Sequence, residues 1–156
     1  MSAVTVVLLF WMPVARQQAM LSPSPELSPA EVVHNQLEAL RHNDYPDSDA
    51  GIAVIFSFMA AEHKLRASNL DEFIKLWHNP VYQDMLNMQT YKVEEHFVEE
   101  EEAVFFVFLE SQDAEKAMYI FELHKVTDGP MAGAWLNTDV QLYDKVVRPG
   151  KEEVYI

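Results

Sequence analysis

The chain contains no cysteine, only four glycines and only 11 basic residues. The lack of cysteine excludes disulfides, thiolate-ligated zinc, iron–sulfur clusters and thiol catalysis. No Gly-rich phosphate loop and no GxSxG nucleophile motif occurs in the sequence, so a Walker, Rossmann or hydrolase signature is unsupported. The 25 acidic residues give a formal charge of −14, which disfavours nucleic acid and anionic lipid as partners.

The 156 residues suit one globular domain with a tail at each end. Hydrophobic residues make up 49% of the chain and charged residues 23%, a composition typical of folded rather than disordered proteins. The sequence predicts three parts: an apolar arm with a Pro/Ser-rich linker at 1–26, a domain at 27–143, and a tail at 144–156.

The apolar arm is the unusual part of the chain, since residues 1–15 carry no charged side chain. Its apolar run is shorter than the roughly 20 residues of a membrane-spanning helix, and no Lys or Arg precedes it as in a secretory signal. Three interpretations are open: the remnant of a targeting segment, an arm that docks on a partner or membrane, or a strand of the domain's own sheet. The docking interpretation assigns the contacts to Val7, Leu8, Leu9, Phe10 and Trp11.

Helical spacing of apolar residues dominates the first half of the domain. Ser28 and Glu31 form a capping box around Pro29, which suits a first helical turn. Three helices are predicted, from Ser28 to near Asn43, from the cap Asp49 towards Ala67, and from the cap Asn69 to Pro80, followed by a short helical piece at 81–86.

After about Gln89 the apolar period changes from helix to strand. The continuous apolar run at 103–109 predicts a strand covered on both faces. The sequence therefore predicts an α+β fold, with three N-terminal helices packed on a curved four-stranded antiparallel sheet. The four strands are predicted around Tyr91–Phe97, Ala103–Leu109, Met118–Leu123 and Gly133–Leu142.

Several short motifs carry a resemblance to a known superfamily. They are residues 27–33 (LSPAEVV), 36–40 (QLEAL) with 43–44, 49–52 (DAGI), 79–82 (NPVY), and 129–130 leading to 133–135 (GAW). These motifs and the element order resemble the nuclear transport factor 2-like superfamily, and within it an uncharacterised family of bacteria and photosynthetic eukaryotes. The resemblance implies a cone with one open end. It implies no activity, because the superfamily includes isomerases, dehydratases, polyketide cyclases, binding domains and assembly subunits.

An enzyme on such a cone would hold its acid and base inside the open end, so seven side chains are candidates for lining a pocket. Trp135, Asn137 and Asp139 alternate along the last strand, which predicts that they share one face. Alternatively, Trp135 is a core residue and the other two lie at the rim. The seven candidates are Tyr91, Tyr119, Trp135, Asn137, Asp139, His42 and Asp44.

The sequence predicts no metal, no cofactor and no assigned catalytic residue. Its six histidines form no HxH or HExxH pattern. His34, Glu38 and His42 have helical spacing on one face, for which a solvated, hydrogen-bonded surface is the favoured interpretation. The acidic run at 99–102 predicts a solvated hairpin tip that protects a sheet edge.

Charge is distributed unevenly along the domain. Residues 88–143 hold 12 acidic and 3 basic residues, a balance of −9, whereas residues 27–87 hold 9 and 4, a balance of −5. An acidic sheet half favours docking on a basic protein surface. The charge and the apolar arm together favour a non-enzymatic interaction module. The resemblance and the arm imply an accessory subunit peripheral to a membrane-bound chloroplast complex, with the cytoplasm as the alternative location. A small-ligand or acid–base pocket is the alternative function, and the resemblance adds a homodimer through the sheet.

Overall fold

The computed structural model describes residues 22–63 and 67–146. It confirms the α+β fold: three helices pack on a curved antiparallel sheet whose four strands lie in chain order. The apolar arm up to residue 21 and the tail after Val146 lie outside the described residues. The elements are α1 (Pro29–Arg41), α2 (Ala50–Phe58), α3 (Leu70–Trp77), a 3₁₀ helix (Gln83–Met85), β1 (Thr90–Val98), β2 (Glu102–Glu110), β3 (Lys116–Lys125) and β4 (Trp135–Val146).

The start of α1 confirms the predicted capping box. The Ser28 hydroxyl accepts from the Glu31 amide at 3.2 Å, and the Glu31 carboxylate accepts from the Ser28 amide at 2.8 Å. Two amides that the helix leaves unpaired are thereby satisfied. The helix ends at Arg41, slightly before the predicted Asn43.

The prediction for α2 is right at its start and wrong at its end. Asp49 occupies the N-cap position as predicted, although it has a left-handed conformation (φ 60°) and its side chain makes no capping hydrogen bond. The helix ends at Phe58, well short of the predicted Ala67, because Met59 turns into an extended conformation and bridges to Asn137 of β4. The Ala60 amide also donates to the Asn137 carbonyl at 2.9 Å. The pairing of Met59 with the distant strand β4 therefore determines where α2 ends.

The cap predicted at Asn69 is confirmed at the start of α3. Its side chain accepts from the Glu72 amide at 3.0 Å. The helix ends at Trp77, before Pro80, since a residue that precedes proline is disfavoured in the helical conformation. The predicted short helical piece is present as the 3₁₀ helix.

One face of the sheet, the inner face, carries the hydrophobic core together with the helices. Its fully buried side chains include Phe105, Val107, Tyr119 and Phe121, which alternate along β2 and β3. They join a core cluster that the helices and the 3₁₀ helix complete with Val33, Leu37, Leu40, Ile52, Ile55, Phe58, Phe73, Trp77 and Met85. The helical layer therefore packs against the centre of the inner face, whereas Glu95 and Val98 on the edge strand β1 remain exposed.

The prediction that β2 is covered on both faces is wrong for the described residues. Burial alternates along the strand: Phe105 and Val107 are buried, whereas Phe106 is half-buried and Phe108 is 38% exposed. The last strand also differs from its predicted bounds of 133–142, because it begins at Trp135 and continues to Val146.

Candidate functional site

Two of the candidate pocket residues, Trp135 and Asn137, lie on the inner face of β4 and are buried. The Asn137 amide exchanges hydrogen bonds with the amide of Gln36 on α1, and Gln36 also donates to the Val32 carbonyl at 3.1 Å. Trp135 lies under the Lys125 ammonium, which is 5.8 Å from the ring centroid. The polar groups of Asn137 are thus engaged within the core rather than turned toward a ligand.

Asp139 does not share a face with Asn137. The register of β4 against β3 shifts there, because Leu123 is opposite Asn137 whereas Glu122 is opposite Asp139. Thr138 is the extra residue of this β-bulge, and a bulge reverses the alternation of the residues that follow. The expected common face is therefore wrong, and Asp139 lies on the opposite, outer face of the sheet.

Tyr119 is a third inner-face candidate, and its hydroxyl is used structurally. It donates to the Val81 carbonyl at 2.6 Å. Burial, with the nearby Asp84 carboxylate and Tyr82, raises the pKa of Tyr119 well above its ordinary value of 10.0. A phenol held neutral in this way anchors the segment after α3 to the sheet.

Tyr91 and His42 come together at the edge strand β1, through Glu38 of α1. The Tyr91 hydroxyl donates to Glu38 Oε1 at 2.8 Å, and His42 Nε2 lies 3.9 Å from Glu38 Oε2. Burial, followed by the hydrogen bond to the Glu38 carboxylate, raises the pKa of Tyr91 above its usual value. His34 and Arg41 also contact this group, at 3.5 Å from the Tyr91 hydroxyl and 3.6 Å from Glu38. The polar face of α1, which is predicted from the spacing of His34, Glu38 and His42, is therefore hydrogen-bonded to β1 of the sheet.

Asp44, the seventh candidate, belongs to a separate network between the helices. It accepts from Asn87 at 2.8 Å, and from Asn43 and the Asp49 amide at 3.1 Å each. The hydrogen bond from Asn87 is the main reason that the pKa of Asp44 is lowered. The sequence does not predict the contact of His78, whose Nε2 lies 2.7 Å from Asp49 Oδ1, because no local pattern links the residue before α2 with the residue after α3.

The structure also contains a buried ion cluster that the sequence does not predict. The Lys145 ammonium lies 2.8 Å from Asp84 and 3.5 Å from Glu115, and all three side chains are nearly buried. Burial lowers the pKa of Lys145, but the hydrogen bonds and charges of Asp84 and Glu115 outweigh burial and raise it. The cluster fixes the end of β4 to the 3₁₀ helix and to the β2–β3 turn.

The seven candidates therefore do not meet at one place. Trp135, Asn137 and Tyr119 are inside the core, and Tyr91 and His42 flank Glu38. Asp44 and Asp139 have hydrogen-bond partners outside both groups. The five predicted docking residues, Val7, Leu8, Leu9, Phe10 and Trp11, lie outside the described residues.

The outer face of the sheet differs from the prediction that both faces of β2 are covered. By strand register, six apolar side chains are contiguous there, and none of them belongs to the core cluster. His96 stacks on one of them, Phe106, with ring centroids 4.6 Å apart. We call this set the apolar patch; it consists of Phe97, Val104, Phe106, Phe108, Met118 and Ile120.

Charged side chains surround the apolar patch on the same face. The register places six carboxylates and only two lysines, Lys92 and Lys116, on the outer face. Lys92 is paired with Glu94 at 2.6 Å. We call the six carboxylates the acidic rim; they are Glu94, Glu102, Glu110, Glu122, Asp139 and Asp144.

At one end of the outer face the patch and the rim form a half-open depression, the end pocket, with a volume of about 350 Å³. Phe97 and Val104 provide apolar walls, and Glu102, Glu122 and His124 provide ionisable groups. The Thr138 hydroxyl, which also lines the pocket, donates to the Glu122 carbonyl at 3.3 Å. Neither the Glu102 nor the Glu122 carboxylate has a hydrogen bond or ion pair within residues 22–63 and 67–146.

Comparison of the chain with protein-family models, curated proteins and solved structures finds no match. The resemblance to the nuclear transport factor 2-like superfamily thus stays a prediction. Among the residues that the structure describes, no group of three or more His, Asp or Glu side chains is placed to hold a metal ion. None of the described helices has the length and apolar character needed to cross a membrane.

Proposed function

We propose that this protein is a non-enzymatic interaction module that binds a protein partner through the outer face of its sheet. The apolar patch is the observation that carries the proposal, since it is contiguous, partly exposed and separate from the core. A sheet face of this kind is normally buried by a further layer of structure. Exposed apolar patches with polar surroundings mark sites of protein interaction.

The arrangement of the candidate pocket residues supports a binding role over acid–base catalysis. General acid–base chemistry needs its groups within hydrogen-bond reach of one substrate. Here the Tyr119 hydroxyl and the Asn137 amide are committed to partners in the core, and Tyr91 is committed to Glu38. The small-ligand or isomerase-like alternative therefore has weaker support.

The apolar arm is a second partner contact in this proposal, through Val7, Leu8, Leu9, Phe10 and Trp11. A membrane-bound complex of a chloroplast is the proposed setting, in which the domain is peripheral to the membrane. This part of the proposal is supported by the sequence of the arm and by the family resemblance.

The test is the native size of the tagged full-length chain after gentle detergent extraction from its source cells. We expect the wild-type chain to migrate in a particle much larger than its own 18.0 kDa. We expect Phe108→Asp, which places a charge in the apolar patch, to release the chain from that particle. Val81→Asp is the matched control, because Val81 is 41% exposed and Phe108 38%. Val81 lies on the inner-face side of the sheet, where its carbonyl accepts from Tyr119, and not on the apolar patch.

Thermal unfolding of each purified variant would show whether the domain remains folded. Migration of the wild-type chain at its own mass, with no companion protein, would overturn the proposal and favour a free pocket protein. Migration at twice that mass would replace a foreign partner with a second copy of the chain. Retention of Phe108→Asp in the large particle would remove the outer face from the interaction.

A further inference from the structure

We infer that the partner segment on the outer face is a basic amphipathic helix, with one of its arginine or lysine side chains in the end pocket. This inference rests on the proposed function and specifies its partner. Helices already cover the inner face of the same sheet, so a helix is the kind of layer that this sheet is shaped to pack against. An amphipathic helix would place its apolar side chains on the apolar patch.

The acidic rim determines the charge of that helix. Six carboxylates against two lysines, one of them already paired with Glu94, leave the outer face strongly negative. Complementary charge on a partner speeds association and selects against partners of the same sign. A helix with lysines and arginines beside its apolar stripe satisfies both the patch and the rim.

The end pocket adds a specific contact for one basic side chain. Glu102 and Glu122 are diagonal neighbours on β2 and β3, since Glu102 is opposite His124 and Val104 is opposite Glu122. Diagonal neighbours are close enough for both carboxylates to reach one guanidinium or ammonium group. Phe97 and Val104 provide the apolar walls along which the aliphatic stem of arginine or lysine packs. Within the described part of the chain, no cation pairs with these two carboxylates.

Two other occupants fit the charge of the face less well. A second copy of this chain would bring its own acidic rim against the first, and opposed like charges weaken association. The apolar arm carries no charged side chain in residues 1–15. The arm would therefore cover the patch and leave the acidic rim without counter-charge.

Binding of synthetic peptides to the full-length chain tests the inference. The probe is a leucine–arginine amphipathic helix of about 18 residues, five turns. The comparison peptides are a leucine–glutamate helix of the same pattern, a scrambled leucine–arginine peptide without an apolar stripe, and a peptide of residues 1–20. We expect the leucine–arginine helix to bind at least about tenfold more tightly than the others, with an affinity that falls as salt is raised.

Variants that neutralise the two carboxylates of the end pocket test its contribution to peptide binding. We expect Glu102→Gln/Glu122→Gln to weaken binding of the leucine–arginine helix about tenfold, since two partly exposed ion pairs are removed. Glu62→Gln/Glu95→Gln is the matched control, because it changes the net charge equally at two exposed glutamates that lie off the outer face. We expect this control to bind as the wild type does.

Three results would overturn the inference: no binding of the leucine–arginine helix, equal binding of the leucine–glutamate helix, or tighter binding of the 1–20 peptide. Unchanged affinity of the Glu102→Gln/Glu122→Gln variant would overturn the assignment of the end pocket. The proposed function has its own readout, the particle size of the wild-type and Phe108→Asp chains. A large particle lost in Phe108→Asp, together with any of the three overturning peptide results, would retain an interaction module and reject a basic helical partner.

Discussion

Gln36 on α1 and Asn137 on β4 form a reciprocal pair of amide hydrogen bonds within the core. Gln36 Nε2 donates to Asn137 Oδ1 at 3.2 Å, and Asn137 Nδ2 donates back to Gln36 Oε1. Both residues are fully buried, and 101 positions separate them in the sequence. Since buried amides are costly when unpaired, this pair fixes one strand position against one helix position.

Removing one partner of this pair should destabilise the protein. Asn137→Ala leaves the Gln36 amide partly unsatisfied, and we expect the free energy of unfolding to fall by about 2–3 kcal/mol. Urea denaturation measures the change, and Gln141→Ala on the exposed side of β4 should change stability by less than about 0.5 kcal/mol. If Gln36→Ala and Asn137→Ala were fully additive in the double variant, the two amides would not be coupled.

Lys145→Met should be more damaging, because it removes the ammonium that contacts the buried carboxylates of Asp84 and Glu115. Loss of one member of a buried ion group typically costs about 3–5 kcal/mol. Lys116→Met removes the same charge from an exposed position of β3 and is the control. Equal urea midpoints for the two variants would mean that the cluster contributes nothing specific.

Stability should also fall at alkaline pH. Burial, with the nearby Asp139 charge, raises the pKa of Tyr82 to about 12, and burial likewise raises the pKa of Tyr91 and Tyr119. The unfolded phenols ionise from their ordinary value of 10.0, so the unfolded state loses protons first and unfolding becomes easier as the pH rises. Lys145 acts in the same direction, since its contribution is complete below 10.5 and is lost as the pH rises through its higher folded pKa.

Urea unfolding between about pH 9 and about pH 11 measures this alkaline loss. Tyr82→Phe removes one of the raised phenols, so we expect its stability to decline about 1 kcal/mol less than that of the wild type over this range. A wild-type free energy of unfolding that stays constant across the range would contradict the prediction.

The sequence predicts the structural features that depend on residues close together in the chain. The capping box of Ser28 with Glu31 and the cap at Asn69 are made of residues three positions apart, and both are present as predicted. The change of apolar period after Gln89 likewise predicts four strands, and all four are present in chain order. These features need no information about distant parts of the chain.

The predictions that failed depend on distant contacts. The bridge from Met59 to Asn137 ends α2, and the bulge at Thr138 turns Asp139 to the other face. Neither event has a local sequence signature, since each depends on how β4 lies against its neighbours.

The apolar run of β2 predicts a strand covered on both faces, whereas the described residues cover only one. Phe106 and Phe108 are the sequence signal for the apolar patch, but a continuous apolar run does not distinguish burial within the domain from burial against a partner.

Gly51 provides a final prediction in which packing opposes helix propensity. It lies in the first turn of α2, and a Cβ built on it would be 2.3 Å from the Ala39 carbonyl oxygen and 2.9 Å from Asn43 Oδ1. Propensity alone predicts that Gly51→Ala stabilises the helix by about 1 kcal/mol. The contact with the backbone of α1 predicts the opposite, a loss of about 3 kcal/mol, because a backbone atom has no alternative rotamer to adopt.

Gly129→Ala is the control for this substitution. No atom lies within 4 Å of a Cβ built there, so only its left-handed conformation (φ +79°) opposes alanine, at a cost of about 1 kcal/mol. Thermal unfolding of the two variants separates the effects, and we expect Gly51→Ala to unfold at the lower temperature. If Gly51→Ala proved as stable as the wild type, α1 and α2 would have to lie farther apart in solution than the short distance to Ala39 implies.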